Sequence, residues 1–571
     1  MSDAVHPLAV ASTPTRTGPV RLSERHVAGG MIFGLCVILF GIIALPLWAL
    51  LSKSVEDTSG RFVGLDNFIT YATTPTLVSS LGNSVLVASA VTLIVVPCAF
   101  LYAYALCRSR IPGKALFYAA AMVPVFAPSL LSALALIYIF GNQGLLKSWM
   151  QGASLYGPIG VIVAEALYCF PHAVLILVTA LALSDGRLRE AAEALGTSRW
   201  RIFHTITLPG ARYGVISAAF VVFTLAITDF GIPKVIGGQF NVLATDAYRQ
   251  VVGQQNFPMG AVVGIILLVP AILAFFVDRI VQRRQSAMLS ARAVPYAPKP
   301  ERKRDTLLLV FVSVAAFAVV APYAIAVWGS FVRYWPYNLS LTLNNYDFAT
   351  VEPTGWDSYR NSLMLASLTA VIGTSLIFIG AYLIEKLKVF PRLRAFAHFL
   401  AMLPMAVPGL VLGLGYVFFF NAGWNPLGFL YGTLAILVIN TIAHFYTVGH
   451  ITAVTSLKQI DGEFEAVSAS LKVPFWSTFR RVTAPICMPA ILDIAVYVFV
   501  NALTTVSAVI FLYGADTKLA SIAIVHMDEA GAVASAAGMA TVIMLTAITV
   551  KLAHVGLDRM VFGRLQRWRN R

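Results

Sequence analysis

This chain is short of charge and short of cysteine. Only 12% of its 571 residues are charged, whereas 58% are hydrophobic and the mean hydropathy is +0.79. A water-soluble domain is about a quarter charged, so the composition excludes a soluble enzyme or binding module and leaves an integral membrane protein. The five cysteines (Cys36, Cys98, Cys107, Cys169 and Cys487) lie in or beside apolar runs and form no C-x-x-C pair. That excludes an obvious disulfide or metal framework and favours small packing residues. Catalytic signatures are missing too: there is no H-E-x-x-H, no G-x-S-x-G and no paired catalytic carboxylates, so no catalytic residues are assigned. Gly113-Lys114-Ala115 lacks both the earlier glycine and the hydroxyl of a phosphate-binding loop. Nor does a short apolar stretch with a small-residue cleavage site begin the chain; the first apolar run, 29–51, is long enough to remain as an anchor.

What the chain does have is length of apolar sequence. A spanning helix needs about 20 apolar residues. About twelve such runs occur, near 29–51, 85–106, 115–140, 159–183, 211–232, 260–281, 306–330, 363–385, 395–420, 431–455, 487–512 and 532–554. The expected fold is therefore an all-α membrane protein of about 12 transmembrane helices. Residues 1–28 read as a polar cytoplasmic tail, 282–305 as a Pro- and Lys/Arg-rich cytoplasmic linker, and 556–571 as a basic cytoplasmic tail. With the N-terminus inside, only eight of the 41 lysines and arginines fall outside: Lys53, Arg61, Lys147, Lys234, Arg249, Arg333, Arg360 and Lys518. That asymmetry orients the chain and accounts for its net charge of +15 without a nucleic-acid partner; the lipid bilayer is the partner that basic flanks meet.

The chain also repeats itself. Trp200 and Trp476 are 276 residues apart, as are Pro209 and Pro485. Leu65-Asp-Asn67-Phe68 matches Leu343-Asn-Asn345-Tyr346, and Asn83-Ser-Val-Leu matches Asn361-Ser-Leu-Met. Met122-Val-Pro124 and Pro128 match Met402-Leu-Pro404 and Pro408. The offsets drift only from 276 to 280, so two copies of one six-span unit, 29–281 and 306–555, follow one another. Six spans per copy keep both in the same orientation, which implies a pseudo-two-fold axis along the membrane normal with a path between the halves.

Each copy holds one polar, basic loop between its fourth and fifth runs, at 184–211 and 456–486. In the first, Glu190-Ala191-Ala192-Glu193-Ala194-Leu195 favours a short helix. Gly196 can end it, and a second short helical stretch near Trp200–His204 is expected to stop before Pro209. Arg199 and Arg201 add charge. Glu190-Ala191-Ala192, three residues, Gly196, nine residues, then Ile206-x-Leu208-Pro209 resembles the EAA loop of binding-protein-dependent ABC importer permeases, and the resemblance covers nearly the whole chain as two fused units. It implies two homologous six-helix ABC importer permease units in a bacterial inner membrane, with both termini cytoplasmic. It also implies two copies of an ABC ATPase subunit that carry ATP and Mg, docked on Glu190, Ala191, Ala192, Gly196, Trp200, Arg201 and Pro209 and on the second copy's Glu465, Ala466, Trp476, Arg480 and Pro485. A periplasmic solute-binding protein would deliver the cargo. The second loop departs from the pattern: Lys472 stands where Gly196 stands, and Ala466 takes the Glu190 place, with Glu465 one residue earlier. Either the turn differs there or the dock is looser.

The fifth runs align without gaps, pairing Thr228 with Thr504, Asp229 with Thr505 and Gly231 with Ser507. Polar groups inside a membrane are costly and usually face a cavity or the bundle interior. Thr224, Thr228, Asp229, Asn501, Thr504, Thr505 and Ser507 are therefore candidates to line the path; interhelical hydrogen bonding is the alternative. Glu165 and His172, seven apart, are either a proton relay or a polar packing pair. His398, His444 and His450 are scattered, and no metal-ligand spacing emerges. Pro124, Pro128, Pro404 and Pro408 should kink the third run of each half. By resemblance, the stretch Thr504-Thr-Val-Ser507-Ala-Val-Ile-Phe-Leu-Tyr513 points to 2-aminoethylphosphonate as cargo, with iron(III) or a polyamine as the alternative. An ion-gradient-driven secondary transporter is the alternative of another class. It accounts for twelve spans and the repeat, but not for a loop of this design in each half.

Overall fold

The computed structural model describes residues 20–182, 186–288, 296 and 298–562. The parts of the two tails at 1–19 and 563–571, residues 183–185 with the first two of the loop read at 184–211, and linker residues 289–295 and 297 lie outside them. Helices dominate, as expected of a bilayer protein, because a helix satisfies its own backbone hydrogen bonds where no water can. Among the described residues nine helices are long and apolar enough to cross a membrane, and counting each of three bent pairs as one span brings the number to twelve, six in each half.

In the first half the spans are Glu24–Ser54, Pro75–Arg108, the bent pair Lys114–Phe126 and Ser129–Phe140, Pro158–Ala182, Arg199–Thr228 and Phe257–Val277. In the second they are Arg302–Ser330, Gly355–Glu385, the bent pair Pro391–Ala406 and Gly409–Phe420, Leu434–Lys458, the bent pair Phe475–Ile486 and Met488–Thr504, and Val533–Met560. Two boundaries differ from the sequence reading. Helix begins at Val20, so residues 20–28, expected in the tail, are helical and lead into the first span. The last helix of the first half continues to Met288 and the next helix begins at Arg302, so helix takes up both ends of the stretch read as linker.

The third span is not merely kinked. Its two pieces meet at 103° in the first half and 114° in the second. Pro124 and Pro404 each open a single 3-10 turn, and Pro128 and Pro408 sit in extended backbone just before the second piece. Two prolines four residues apart remove two helical N–H donors and hold the intervening residues out of the helix, so the span breaks into two helices.

The halves exchange their first spans. Leu45–Ser54 of the first half packs on Gly409–Phe420 of the second, and Arg302–Ser330 of the second packs on Ser129–Phe140 of the first. Tyr416 Oη donates to the Ile42 carbonyl (2.7 Å), and Tyr323 Oη meets Ser132 Oγ (2.6 Å). Gly415 makes one close approach possible, since a Cβ there would lie 2.6 Å from the Pro46 carbonyl oxygen. The exchange leaves one continuous core that runs through both halves.

The repeated sequence motifs do repeated jobs. Asn67 Nδ2 donates to the Ser54 and Glu56 carbonyls; Asn345 Nδ2 donates to those of Ser330 and Val332. Each thereby ties the start of a loop to the end of the first span. Ser84 Oγ accepts from the Leu243 N–H, and Ser362 Oγ accepts from that of Ala520, both at 2.8 Å.

Candidate functional site

The two polar loops lie on one face of the molecule and share one backbone. The helix Gly186–Ala194 ends where Gly196 takes φ +72°. There the Thr197 N–H bonds to the Ala192 carbonyl (3.0 Å) and the Gly196 N–H to that of Glu193 (3.1 Å), the paired bonds of a left-handed helix cap. In the second half Lys472 takes φ +57°, with Val473 N–H on Ser468 (2.9 Å) and Lys472 N–H on Ala469 (3.2 Å). The turn therefore does not differ: lysine adopts the conformation for which glycine is suited. Extended Ser198 and Pro474 then start the short helices Arg199–Ile202 and Phe475–Thr478.

Neither chain path stops before its proline. Wide π turns at Phe203–Thr207 and Phe479–Thr483 carry the backbone onward, and Pro209 and Pro485 stand within the first two residues of the helices that follow. A proline at a helix start forfeits an N–H that has no intrahelical partner, so it costs the helix little.

Each loop is anchored by an aromatic that the sequence reading passed over. Phe203 packs edge-on to Phe100 and Tyr104 of the second span; Phe479 packs against Phe378 and Tyr382. The signal was present, because these residues recur at offsets of 276 and 278. Apolar side chains stand outward on both loops: Leu188, Leu195 and Trp200 on the first, and Phe464, Val467, Leu471 and Trp476 on the second. Trp200 is 73% exposed and Trp476 50% exposed. Glu190, Ala191, Arg201 and Pro209 are exposed with them, as are Ala466, Arg480 and Pro485 on the second loop, while Ala192 is half-buried. Exposed apolar groups rimmed by charge are the composition of a protein-docking surface.

The acidic groups behave differently in the two loops. Glu193 of the first is held by Arg189 (3.1 Å) and Lys299 (2.9 Å). Burial raises its pKa, but the hydrogen bonds from Lys299 and Arg189 outweigh that and hold it below the usual carboxylate value. Arg199 pairs with Glu301. In the second loop Glu465 turns inward to Lys386 at the end of the second span (3.0 Å).

Among the candidates for the path, Thr224, Thr228, Thr504 and Asn501 donate back to carbonyls one turn earlier in their own helices. Thr224 also lines a 210 Å³ cavity with Phe220, Ala271 and Phe275 of its own half and Met405 of the other. The fifth helix ends at Thr228 and Thr504, before the runs read from sequence end. Asp229 and Thr505 take the same extended backbone (φ −67°; ψ 136° and 139°). This turn carries each chain to the break in the third span of the same half. A Cβ on Gly231 would lie 2.7 Å from Ser129 Oγ, and one on Gly409 would lie 3.0 Å from Ser507 Oγ. Thr505 is buried, and its carbonyl accepts from Ser521 Oγ (2.6 Å).

Asp229 Oδ2 accepts the Ile232 N–H (2.8 Å), and its carboxyl lies near Ser129 and the wholly buried Glu165. Glu165 therefore meets Asp229 rather than His172, whose ring lies beside Tyr168 (5.7 Å). Seven residues are about two helical turns, or roughly 10 Å of rise, too long for direct contact. His398 Nδ1 and His450 Nε2 come together at 3.2 Å in the second half. Among the described residues no three His, Cys, Asp or Glu form a group that could hold a metal ion. On the face opposite the loops, Lys234 of the first half pairs with Glu529 of the second (2.6 Å), and the Tyr248 ring lies 6.0 Å from that of Phe511, so the halves touch there.

Residues 95–287 match the family of binding-protein-dependent transport system inner membrane components, a stretch that includes the whole first loop. Over 504 residues the chain is 29% identical to a putative ferric transport system permease protein, FbpB 1, of Haemophilus influenzae, covering 85% of this chain and 78% of that one. It is 28% identical over 539 residues to the ferric transport system permease protein FbpB of Actinobacillus pleuropneumoniae, covering 91% and 77%. The molybdenum transport system permease protein ModB of Escherichia coli K12 is 32% identical over 152 residues, covering 26% of this chain and 66% of that one.

Proposed function

We propose that the chain is the membrane permease of an ATP-driven, binding-protein-dependent importer, and that its cargo is iron(III). The cargo reading rests on one observation: relatives whose names specify ferric transport align with most of the chain, both halves included, whereas the molybdenum relative aligns with about a quarter of it. That favours iron(III) over the 2-aminoethylphosphonate suggested by the Thr504–Tyr513 stretch. The loop face is the cytoplasmic one. An ATPase subunit docks its surface on each loop, around Trp200 and around Trp476. Closure of the two ATPases pulls the loops together, and the π turns at 203–207 and 479–483 pass that motion straight into the fifth spans. The ends of those spans, at Asp229 and Thr505, move against the broken third spans. The path then opens alternately to the loop face and to the face where Lys234 meets Glu529. A solute-binding protein delivers the cargo to that second face.

Uptake of labelled iron(III) by cells deleted for the gene, and by the same cells carrying it, tests the cargo. Lost uptake that the gene restores, with unchanged growth on 2-aminoethylphosphonate as sole phosphorus source, is the expected result. Normal iron uptake with a growth defect on the phosphonate moves the cargo to the phosphonate.

A further inference from the structure

The two loops are docked onto the second span by opposite chemistry, and the difference exposes a role for the linker between the halves. Arg108 and Lys386 occupy equivalent positions, 278 residues apart, four residues after Tyr104 and Tyr382. Both donate to a carbonyl at the end of the fourth span, Arg108 Nη2 to Leu181 (2.7 Å) and Lys386 Nζ to Ile460 (3.1 Å). The loop residue facing that cation is Glu465 in the second half, which completes an ion pair. At the equivalent position, 276 residues earlier, the first half has Arg189. Two cations then stand where the second half has a cation and an anion, Arg189 being paired within its own helix with Glu193 (3.1 Å).

Tyr296 of the linker occupies the space between them. Its ring lies 5.1 Å from the Arg108 guanidinium and 4.6 Å from that of Arg189. An aromatic face attracts a cation through its quadrupole, so one ring can hold two guanidiniums that repel each other. The site is fitted to the ring. Tyr296 is only 8% exposed, and a Cβ at Gly186 would lie 2.9 Å from Tyr296 Cα. Tyr296 Oη reaches Glu193 (3.4 Å), Lys299 pairs with the same carboxylate, and Glu301 pairs with Arg199. We infer that Tyr296, Lys299 and Glu301 of the linker brace the first coupling loop, with Tyr296 as the positioning residue at the place where the second half uses the Lys386–Glu465 ion pair. Its effect on coupling rests on the importer reading; the brace itself does not.

Hydrogen exchange on the full chain in nanodiscs tests the brace without reference to transport. Tyr296→Ala should speed exchange of the Gly186–Ala194 amides about ten-fold and leave those of Glu463–Ser470 unchanged. Tyr296→Phe, which keeps the ring, should keep protection. Adding Arg189→Glu to Tyr296→Ala gives the first half the ion pair of the second and should restore protection. Unchanged exchange in Tyr296→Ala overturns the brace, as does failure of Arg189→Glu to restore it. With the ATPase subunits bound, substrate-stimulated ATP hydrolysis should fall several-fold in Tyr296→Ala and recover in the double variant. Faster exchange with unchanged hydrolysis overturns the coupling role alone. Absence of stimulated hydrolysis in the unmutated protein overturns the importer reading and leaves the exchange result to decide the brace.

Discussion

The two loops have the same backbone and different chemistry. Gly196 and Lys472 both stand at positive φ, each closed by the same pair of backbone hydrogen bonds, although the first residue suits that conformation and the second does not. Arg189 and Glu465 stand at one position with opposite charge, and each loop is nevertheless held against its second span. The geometry of such a loop is therefore set by its hydrogen-bonded cap and by the Phe203 or Phe479 anchor. The means of holding it down can be exchanged between an ion pair and a borrowed ring.

The sharpest way to break this comparison is to remove the second loop's ion pair. Lys386 is mostly buried, and taking away one member of such a pair strands the other charge. Glu465→Ala should loosen the second loop by about 2 kcal/mol, discounted for the partial exposure of the carboxylate. Glu190→Ala on the exposed face should change loop exchange little. Transport-linked ATP hydrolysis measured in both variants decides: equal losses would mean that both glutamates act only by touching the ATPase. A smaller effect separates the caps. Gly196→Ala should lower the thermal midpoint by an amount matching about 1 kcal/mol, and Lys472→Gly should raise it by a comparable amount, because only glycine takes positive φ without crowding its Cβ.

Much of this was legible in the chain. Twelve apolar runs marked twelve spans because a bilayer demands long uninterrupted apolar helices, and a parallel repeat is visible wherever both copies keep a residue for the same reason, as with Asn67 and Asn345. The break in the third span was half-legible: Pro124 and Pro128 announce that helix cannot continue, but not that its two pieces meet near a right angle. The end of the fifth span was hidden, since the apolar run continues through Phe230, Ile232 and Val235 past the turn at Asp229. Glu165 drew attention through its spacing to His172, yet the group it faces, Asp229, lies in the turn after the fifth helix. Tyr296 could not be found at all from local pattern. It sits in a polar stretch that reads as a passive linker, and its meaning depends on Arg108 and Arg189, each more than 100 residues away.

On the opposite face the halves meet through Lys234 and Glu529, and here the comparison predicts a modest effect. Both side chains reach water, so the pair contributes no more than about 0.5 kcal/mol to closure. Lys234→Gln should raise basal ATP hydrolysis about two-fold by easing separation of the halves, and Glu529→Gln should do the same. A rise in one variant without the other would show that the ion pair is not what holds the face shut.

The smallest expected effect is one of pH. Glu193 has its pKa depressed below the ordinary 4.5 because Lys299 and Arg189 bond its charged form more strongly than burial opposes it. A depressed carboxyl contributes stability that is present in full above the unfolded value and is lost only as the pH falls through the lower, folded one. Once intrinsic chemical exchange is corrected for, protection of Gly186–Ala194 should therefore stay flat from pH 8 to about pH 5. It should weaken only below the usual carboxylate range. If protection already falls between pH 7 and pH 6, a group other than Glu193 holds the first loop, and the contrast with Glu465 must be drawn elsewhere.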